Sequence, residues 1–140
     1  AWNPAELSEM ALPPCHWSFQ VLGVPLQNGK YGFYLQWNQR SVDSFLGLPF
    51  NIASYALLAH ILGGLTKMKP LGIIGALTNV HIYTEHLSAV QKQLLNDCNK
   101  HKKCELELDC ELISEKISEY KLKNYQSYDA IKAPMLAYNK

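Results

Sequence analysis

Cys15, Arg40, Asp43, Asn51, His81 and Tyr83 are the side chains of this 140-residue sequence best suited to chemistry. A thiolate is a strong, soft nucleophile whose reactivity depends on nearby positive charge. Pro13-Pro14 fix an extended approach, so Cys15 enters a strand and cannot lie inside a helix. A buried structural cysteine is the competing reading. His16 points to the opposite face of that strand and is no obvious activator; Arg40 at the neighbouring strand end is better placed. Arg40 is the sole arginine among many lysines, flanked by Gln39 and Ser41. Its planar fork matches a phosphate or carboxylate in two places at once, which an ammonium cannot do. It reads as an oxyanion site or as a structural salt bridge. His81 and Tyr83, two apart on an extended segment, project to one side, where they jointly hydrogen-bond a hydroxyl or pack. Cys98, His101 and Cys104 fit no structural zinc spacing and lack a fourth ligand, so no metal is expected. There is no glycine-rich phosphate loop and no HExxH.

The elements that must carry these groups follow from pattern. Gln39 to Tyr55 opens polar, turns at Gly47 and Pro49, and runs into an apolar helix predicted over Phe50 to Leu62, stopped by Gly63-Gly64. It is apolar nearly all round and is expected to be the buried central helix, with Asn51 facing a site from its first turn and His60 near its end. Upstream, Pro4 to Met10 suits a short helix. A strand after Cys15 carries Trp17, Phe19 and Val21 on one face, and Asn28-Gly29 signals a hairpin into a second strand, Tyr31 to Asn38. That strand delivers Gln39-Arg40-Ser41. Downstream come a short strand (Leu71 to Leu77) and a helix (Glu85 to Asn96) with Leu87, Val90, Leu94 and Leu95 on one side. Cys104 to Cys110 alternates as a half-buried strand with both cysteines on its apolar face. A short helix (Glu111 to Tyr120), an edge strand (Tyr120 to Tyr125) and an irregular tail complete the chain. The class is α+β, a mixed β-sheet packed against a buried central helix, and residues 1–140 form one domain.

Composition narrows the partners. About half the residues are apolar (48%), enough for a core, and a net charge of +1 gives no field for nucleic acid or an acidic membrane surface. The longest apolar stretch, Leu46 to Leu65, is interrupted by Pro49, Asn51, Ser54 and His60, so it reads as a core helix with no membrane role. Four cysteines without a CxxC pair or secretory context read as reduced thiols in a cytoplasmic protein.

Ala11-Leu12-Pro13-Pro14-Cys15-His16, Phe19-Gln20, Gln39-Arg40-Ser41-Val42-Asp43, Leu46-Gly47-Leu48-Pro49-Phe50-Asn51-Ile52-Ala53-Ser54-Tyr55, His81-Ile82-Tyr83 with His86, and Tyr125 with Ile131-Lys132 together resemble the C-terminal half of the thymidylate synthase family. Order and spacing match throughout, apart from a somewhat longer hairpin between Cys15 and Arg40. The resemblance implies reductive methylation of deoxyuridylate (dUMP) to thymidylate with 5,10-methylenetetrahydrofolate as co-substrate. In that scheme Cys15 attacks C6 of the pyrimidine. Arg40 and Ser41 hold the 5′-phosphate, Arg40 also favours the Cys15 thiolate, and Gln39 belongs to the same wall. Asn51 meets O4 and N3 of the base, His81 and Tyr83 take the 3′-hydroxyl, and Asp43 meets the pterin over an apolar floor of Leu46, Gly47 and Phe50.

Departures from the family pattern favour other outcomes. Asn79 stands where an acidic residue is usual, Tyr128-Asp129 replaces His-Pro after Tyr125, Tyr138-Asn139-Lys140 extends the end, and Trp17, Trp37 and Asn38 also differ. A dUMP (or dCMP) hydroxymethylase, in which water replaces hydride, is one alternative. A non-catalytic half-domain serving as a structural or interaction subunit is another. A single arginine cannot rebuild the family's multi-arginine phosphate site, and Trp2 is an apolar side chain with nothing upstream to cover it. The fold is therefore expected to be incomplete without an N-terminal half, supplied by a companion polypeptide, with two such units forming a dimer.

Overall fold

The computed structural model describes residues 3–10, 12–108 and 120–136. In chain order the strands are β1 (His16–Pro25), β2 (Tyr31–Gln39), β3 (Val42–Asp43), β4 (Lys69–Leu77), β5 (Val80–His81), β6 (Glu105–Leu108) and β7 (Tyr120–Lys123). The helices are α1 (Leu48–Thr66) and α2 (Leu87–Leu94), with short 3-10 turns at Pro4–Glu6, Gln27–Gly29 and Thr84–His86. The main sheet has the order β1-β2-β4, antiparallel between β1 and β2 and parallel between β2 and β4, which is the mixed sheet expected. The predicted hairpin forms where Gly29 supplies a φ of 70°. A parallel neighbour for β2 requires a crossover, and α1 provides it.

Strand β2 alternates as a central strand should. Phe33, Leu35, Trp37 and Gln39 are buried on the helix side, while Tyr34, Gln36 and Asn38 face the other way. Tyr55, Leu58, Ala59 and Leu62 of α1 pack on Phe33, Leu35, Ile73 and Met68. The helix lies mainly over β2 and β4 and meets β1 at that strand's first residue, where Tyr55 stacks on His16. Phe19 and Val21, paired with Trp37 and Leu35 and so on the same face, are therefore about half exposed. Only Ala59 and Gly63 of α1 are buried, and Phe50 is 73% exposed, so the central helix is laid on the sheet by one side and open on the others. Its length and composition alone would also cross a membrane; the stripe packed on the sheet assigns it to a core instead.

Helix α1 corrects the predicted span at both ends. It begins at Leu48 and runs through Gly63-Gly64 to Thr66 before Lys67 turns left-handed with φ 58°. Gly63 is no stop signal. A Cβ there would lie 2.9 Å from the Met68 carbonyl and from Pro70 Cδ, so the glycine lets the chain double back tightly into β4. The Pro4 to Met10 helix shrinks to the Pro4–Glu6 turn, capped by Asn3 Oδ1, which accepts from Ala5 N at 3.1 Å. The helix predicted from Glu85 starts as a 3-10 turn and becomes α2 at Leu87. Ala89 is its buried residue, whereas Leu87, Leu94 and Leu95 are exposed because no described element of this chain covers that side. Strands β6 and β7 form a separate antiparallel pair, tied by Lys123 and Glu107. Cys104 lies just before β6 and is exposed, contrary to its expected place on a half-buried face. Cys110, the helix expected from Glu111, Trp2 and the Tyr138-Asn139-Lys140 extension lie outside the described residues.

Candidate active site

The ends of β1 and β2 bring the thiol and the guanidinium together. Arg40 N donates to the Cys15 carbonyl at 3.0 Å, which joins the two segments at the mouth of the sheet. The Arg40 side chain then clamps the approach to Cys15: Nη2 donates to the Pro13 carbonyl at 2.7 Å and Nε to the Pro14 carbonyl at 3.3 Å. Among the described residues no carboxylate pairs with it, so it is not a structural salt bridge. A guanidinium has five N–H donors, and the remaining ones serve an exposed position beside a cavity of about 660 Å³. Cys15, Arg40, Ser41, His81 and Tyr83 all line that cavity.

His81 reaches it because the short parallel pair of β3 and β5 sets Asp43 opposite His81. Asn79, left-handed at φ 46°, makes the turn before β5. Its carbonyl accepts from Val42 N at 3.2 Å and from His81 Nδ1 at 2.9 Å. A carbonyl only accepts, so Nδ1 carries the hydrogen and Nε2 of the neutral ring is an acceptor. The Tyr83 ring meets His81 edge-on at 4.9 Å. Leu12, Thr84, Glu85 and Leu136 also line the cavity, and none was expected to. The signal for Thr84 and Glu85 was their adjacency to Tyr83; Leu136 had none. A backbone hydrogen bond, then the Thr84 hydroxyl, lower the pKa of Glu85.

Gln39 and Asn51 do not line the cavity; they form a layer beside it. Gln39 is buried, and its Nε2 donates to the Ser41 carbonyl and to Asn51 Oδ1, each at 3.0 Å. Its Oε1 accepts from Trp37 Nε1 at 3.1 Å. Gln39 is thus a support for the site's wall and not its surface. Asp43 is also a structural anchor: Oδ1 accepts from Phe45 N at 2.9 Å and Leu46 N at 3.2 Å, shaping the turn into α1. His86 is fully buried, donates from Nε2 to the Pro134 carbonyl at 2.8 Å, and so fastens the tail beside the site. Its Nδ1, without a hydrogen-bond partner, lies 3.8 Å from Asp43 Oδ1. His16 lies on the helix side, with Nδ1 3.0 Å from the Tyr55 hydroxyl. Burial lowers the pKa of His16 and raises that of Tyr55.

Leu46 and Phe50 line a second cavity of about 560 Å³, together with Phe45, Tyr128 and Asp129. Gly47 sits at the N-terminus of α1, where a Cβ would come within 3.0 Å of the Asp43 carbonyl. Tyr128 closes the far side: its hydroxyl donates to the Asp97 carbonyl and accepts from Asp97 N. Cys98 and His101 line this cavity while Cys104 lines another, so the three do not converge.

A family model described as "Thymidylate synthase" matches residues 1–137. The chain belongs to the thymidylate synthase family. The "Probable thymidylate synthase" of Escherichia phage T5 is 55% identical over 94 residues, 67% of this chain and 32% of that protein. The thymidylate synthase of Staphylococcus haemolyticus is 37% identical over 135 residues, 96% of this chain and 41% of that protein. The crystal structure of thymidylate synthase from T4 phage superposes with a TM-score of 0.73 at 39% identity, covering 96% of this chain and 50% of that one. The chain thus spans between a third and a half of the length of these relatives.

Proposed function

We propose that residues 1–140 are the C-terminal, nucleophile-bearing half of a thymidylate synthase domain that methylates deoxyuridylate at C5. The carrying observation is the convergence of Cys15, Arg40, Ser41, His81 and Tyr83 on one cavity. In this reading the nucleotide lies with its 5′-phosphate at Arg40 and Ser41 and its 3′-hydroxyl at His81 Nε2 and the Tyr83 phenol. Cys15 Sγ adds to C6, which turns C5 into an enolate-like carbon nucleophile. Asn51 pairs with O4 and N3, giving the O4 charge a donor as it develops. 5,10-Methylenetetrahydrofolate supplies the one-carbon unit to C5 and, in a synthase, the hydride that completes the methyl group. Leu46 and Phe50, lining the second cavity beside Gly47, offer it an apolar floor, with Asp43 for the pterin. No step calls for a metal.

The remaining phosphate and folate contacts come from further residues of the fold, in the same polypeptide or in a companion one, and two complete units pair as a dimer in the cytoplasm. A specific observation favours a second reading, the hydroxymethylase. Tyr128 and Asp129 bring polar groups into the cavity assigned to the folate, where exclusion of water would protect the bound one-carbon unit. The test treats the complete enzyme with 5-fluorodeoxyuridylate and methylenetetrahydrofolate. The expected outcome is a covalent adduct on Cys15, with Cys98, Cys104 and Cys110 unmodified. An adduct elsewhere, or none in an assembly that binds nucleotide, would sink the assignment. With deoxyuridylate itself, a product bearing a methyl group alongside dihydrofolate supports the synthase. A hydroxymethyl product without dihydrofolate supports the alternative.

A further inference from the structure

Trp37 stands two hydrogen bonds behind the amide that reads the base in the proposed site. We propose that Trp37 is a positioning residue for pyrimidine selectivity: through Gln39 its indole N–H holds the Asn51 amide in one orientation, which accepts a uracil edge and refuses a cytosine edge. This rests on the reading above, in which Asn51 meets the base.

An indole N–H only donates, so the group facing it on Gln39 must be the carbonyl oxygen. Trp37 Nε1 donates to Gln39 Oε1 at 3.1 Å, and both side chains are buried. The other end of the same carboxamide agrees with that order, because Gln39 Nε2 donates at 3.0 Å to the Ser41 carbonyl, which only accepts, and the two contacts act together. Turning Gln39 over would set N–H against N–H and oxygen against oxygen in a buried place, where unmade hydrogen bonds are costly. The second hydrogen of Nε2 goes to Asn51 Oδ1 at 3.0 Å. The order of the Asn51 amide follows: oxygen toward Gln39, Nδ2 away from it. Flipping Asn51 would press two NH₂ groups together.

The indole cannot drift from this role. Its ring stacks on Tyr55 with centroids 4.9 Å apart and planes 14° from parallel. Across the sheet, Gly75 is the register partner of Trp37, and a Cβ there would lie 2.7 Å from two atoms of the indole ring. The glycine on β4 leaves room for the indole on β2.

Selectivity follows from the chemistry of the two bases. Uracil offers an N3–H donor beside an O4 acceptor; cytosine offers an N3 acceptor beside an amino donor. A carboxamide pairs with either edge, but only by turning over. Held in one order, with the second lone pair of Oδ1 and the hydrogens of Nδ2 left for the base, it matches one edge and leaves donor facing donor with the other. Sites built to hydrogen-bond a polar group discriminate strongly on that basis. The discrimination therefore resides in Trp37 and Gln39 as much as in Asn51.

The test compares Kd for deoxyuridylate and deoxycytidylate in the complete enzyme. The proteins are wild type, Trp37→Phe, and one carrying benzothienylalanine at position 37, whose sulfur replaces the N–H without changing the ring's shape. The preference for deoxyuridylate should fall by about tenfold in both altered proteins, mainly through tighter deoxycytidylate binding. The benzothienylalanine protein should still fold and melt cooperatively, at a temperature lowered only by the loss of one buried hydrogen bond. If Trp37→Phe fails to fold, the isostere decides. Asn51→Asp separates the two layers of the argument. Should it leave the ratio unchanged, Asn51 does not read the base and the underlying reading fails with the lock. Should it shift the ratio while both Trp37 replacements keep the wild-type preference, the lock is overturned and the reading of Asn51 stands.

Discussion

Arg40 uses its guanidinium twice, and the geometry explains why lysine would not serve. Two of its nitrogens hold the carbonyls of Pro13 and Pro14, which have no N–H neighbours of their own to offer a turn, while the remaining N–H groups stay available to an anion in the cavity. The residue after Cys15 is also set by packing. His16, against the Tyr55 hydroxyl and stacked on its ring with centroids 5.4 Å apart, has its pKa lowered from 6.5 by burial. Because the folded state resists the proton, the unfolded chain binds more protons once pH falls below that value. His16 thus costs no stability above about pH 6.5, and stability declines as pH drops from there through the lower folded pKa. The melting temperature of the complete enzyme, measured between about pH 7.5 and 5, should fall with acidity, and His16→Gln should flatten part of that slope. An unchanged slope in the variant would mean that His16 is protonated in place without penalty.

At the scale of elements, α1 is held to the sheet by a close approach that its own pattern conceals. Gly63 sits where a methyl group would strike the Met68 carbonyl and Pro70 Cδ, both within 2.9 Å and the first of them backbone, which cannot rotate away. Gly63→Ala, a favourable change by helix propensity alone, should therefore destabilise the fold by about 1–3 kcal/mol, read by denaturant unfolding of the complete enzyme. A stabilised variant would show that the helix can lift from β4 at no cost. The same residue explains where sequence reading succeeded and failed. The hairpin was legible because Asn28-Gly29 meets a local demand for positive φ, and the helix start was legible to within two residues because Pro49 and the residues around it are local signals too. The helix end was misread because Gly63 answers a demand made by the return of the chain, which no neighbour in sequence announces. The site divides in the same way. Arg40, Ser41, His81 and Tyr83 were legible from residue type and from resemblance, and they meet Cys15 in one cavity. The burial of Gln39 beneath Asn51 was not, because it depends on Trp37 and on α1 arriving from 12 residues further along.

For the whole molecule the decisive quantity is surface. Large apolar side chains of the described residues stand exposed in separate places. Phe19 and Val21 lie open on the inner face of β1, Phe50 stands out from α1, and Leu94 and Leu95 end α2 almost wholly exposed. The outer face of the sheet is different in kind: Leu22, Tyr34 and Ile74 share it with a ladder in which Gln20 donates to Gln36, Gln36 to Asn38, and Asn38 to Ser18. A face that is both apolar and internally hydrogen-bonded suits a flat partner, such as the same sheet of a second unit. The inner surfaces around α1 and β1 call for something that completes the core. These regions predict two separable associations. Expressed alone, the chain should self-associate in sedimentation and bind a hydrophobic dye, without a cooperative thermal transition. Supplied with the rest of the fold, it should first lose dye binding as the inner surfaces close, and then sediment as a dimer of completed units. Charged substitutions at Leu22 and Ile74 should abolish the dimer and leave the completed unit folded, whereas Val21→Asp should prevent completion itself. A monodisperse, cooperatively melting monomer of this chain alone would contradict the argument, since no source of stability would then remain for a core of which α1 buries only Ala59 and Gly63.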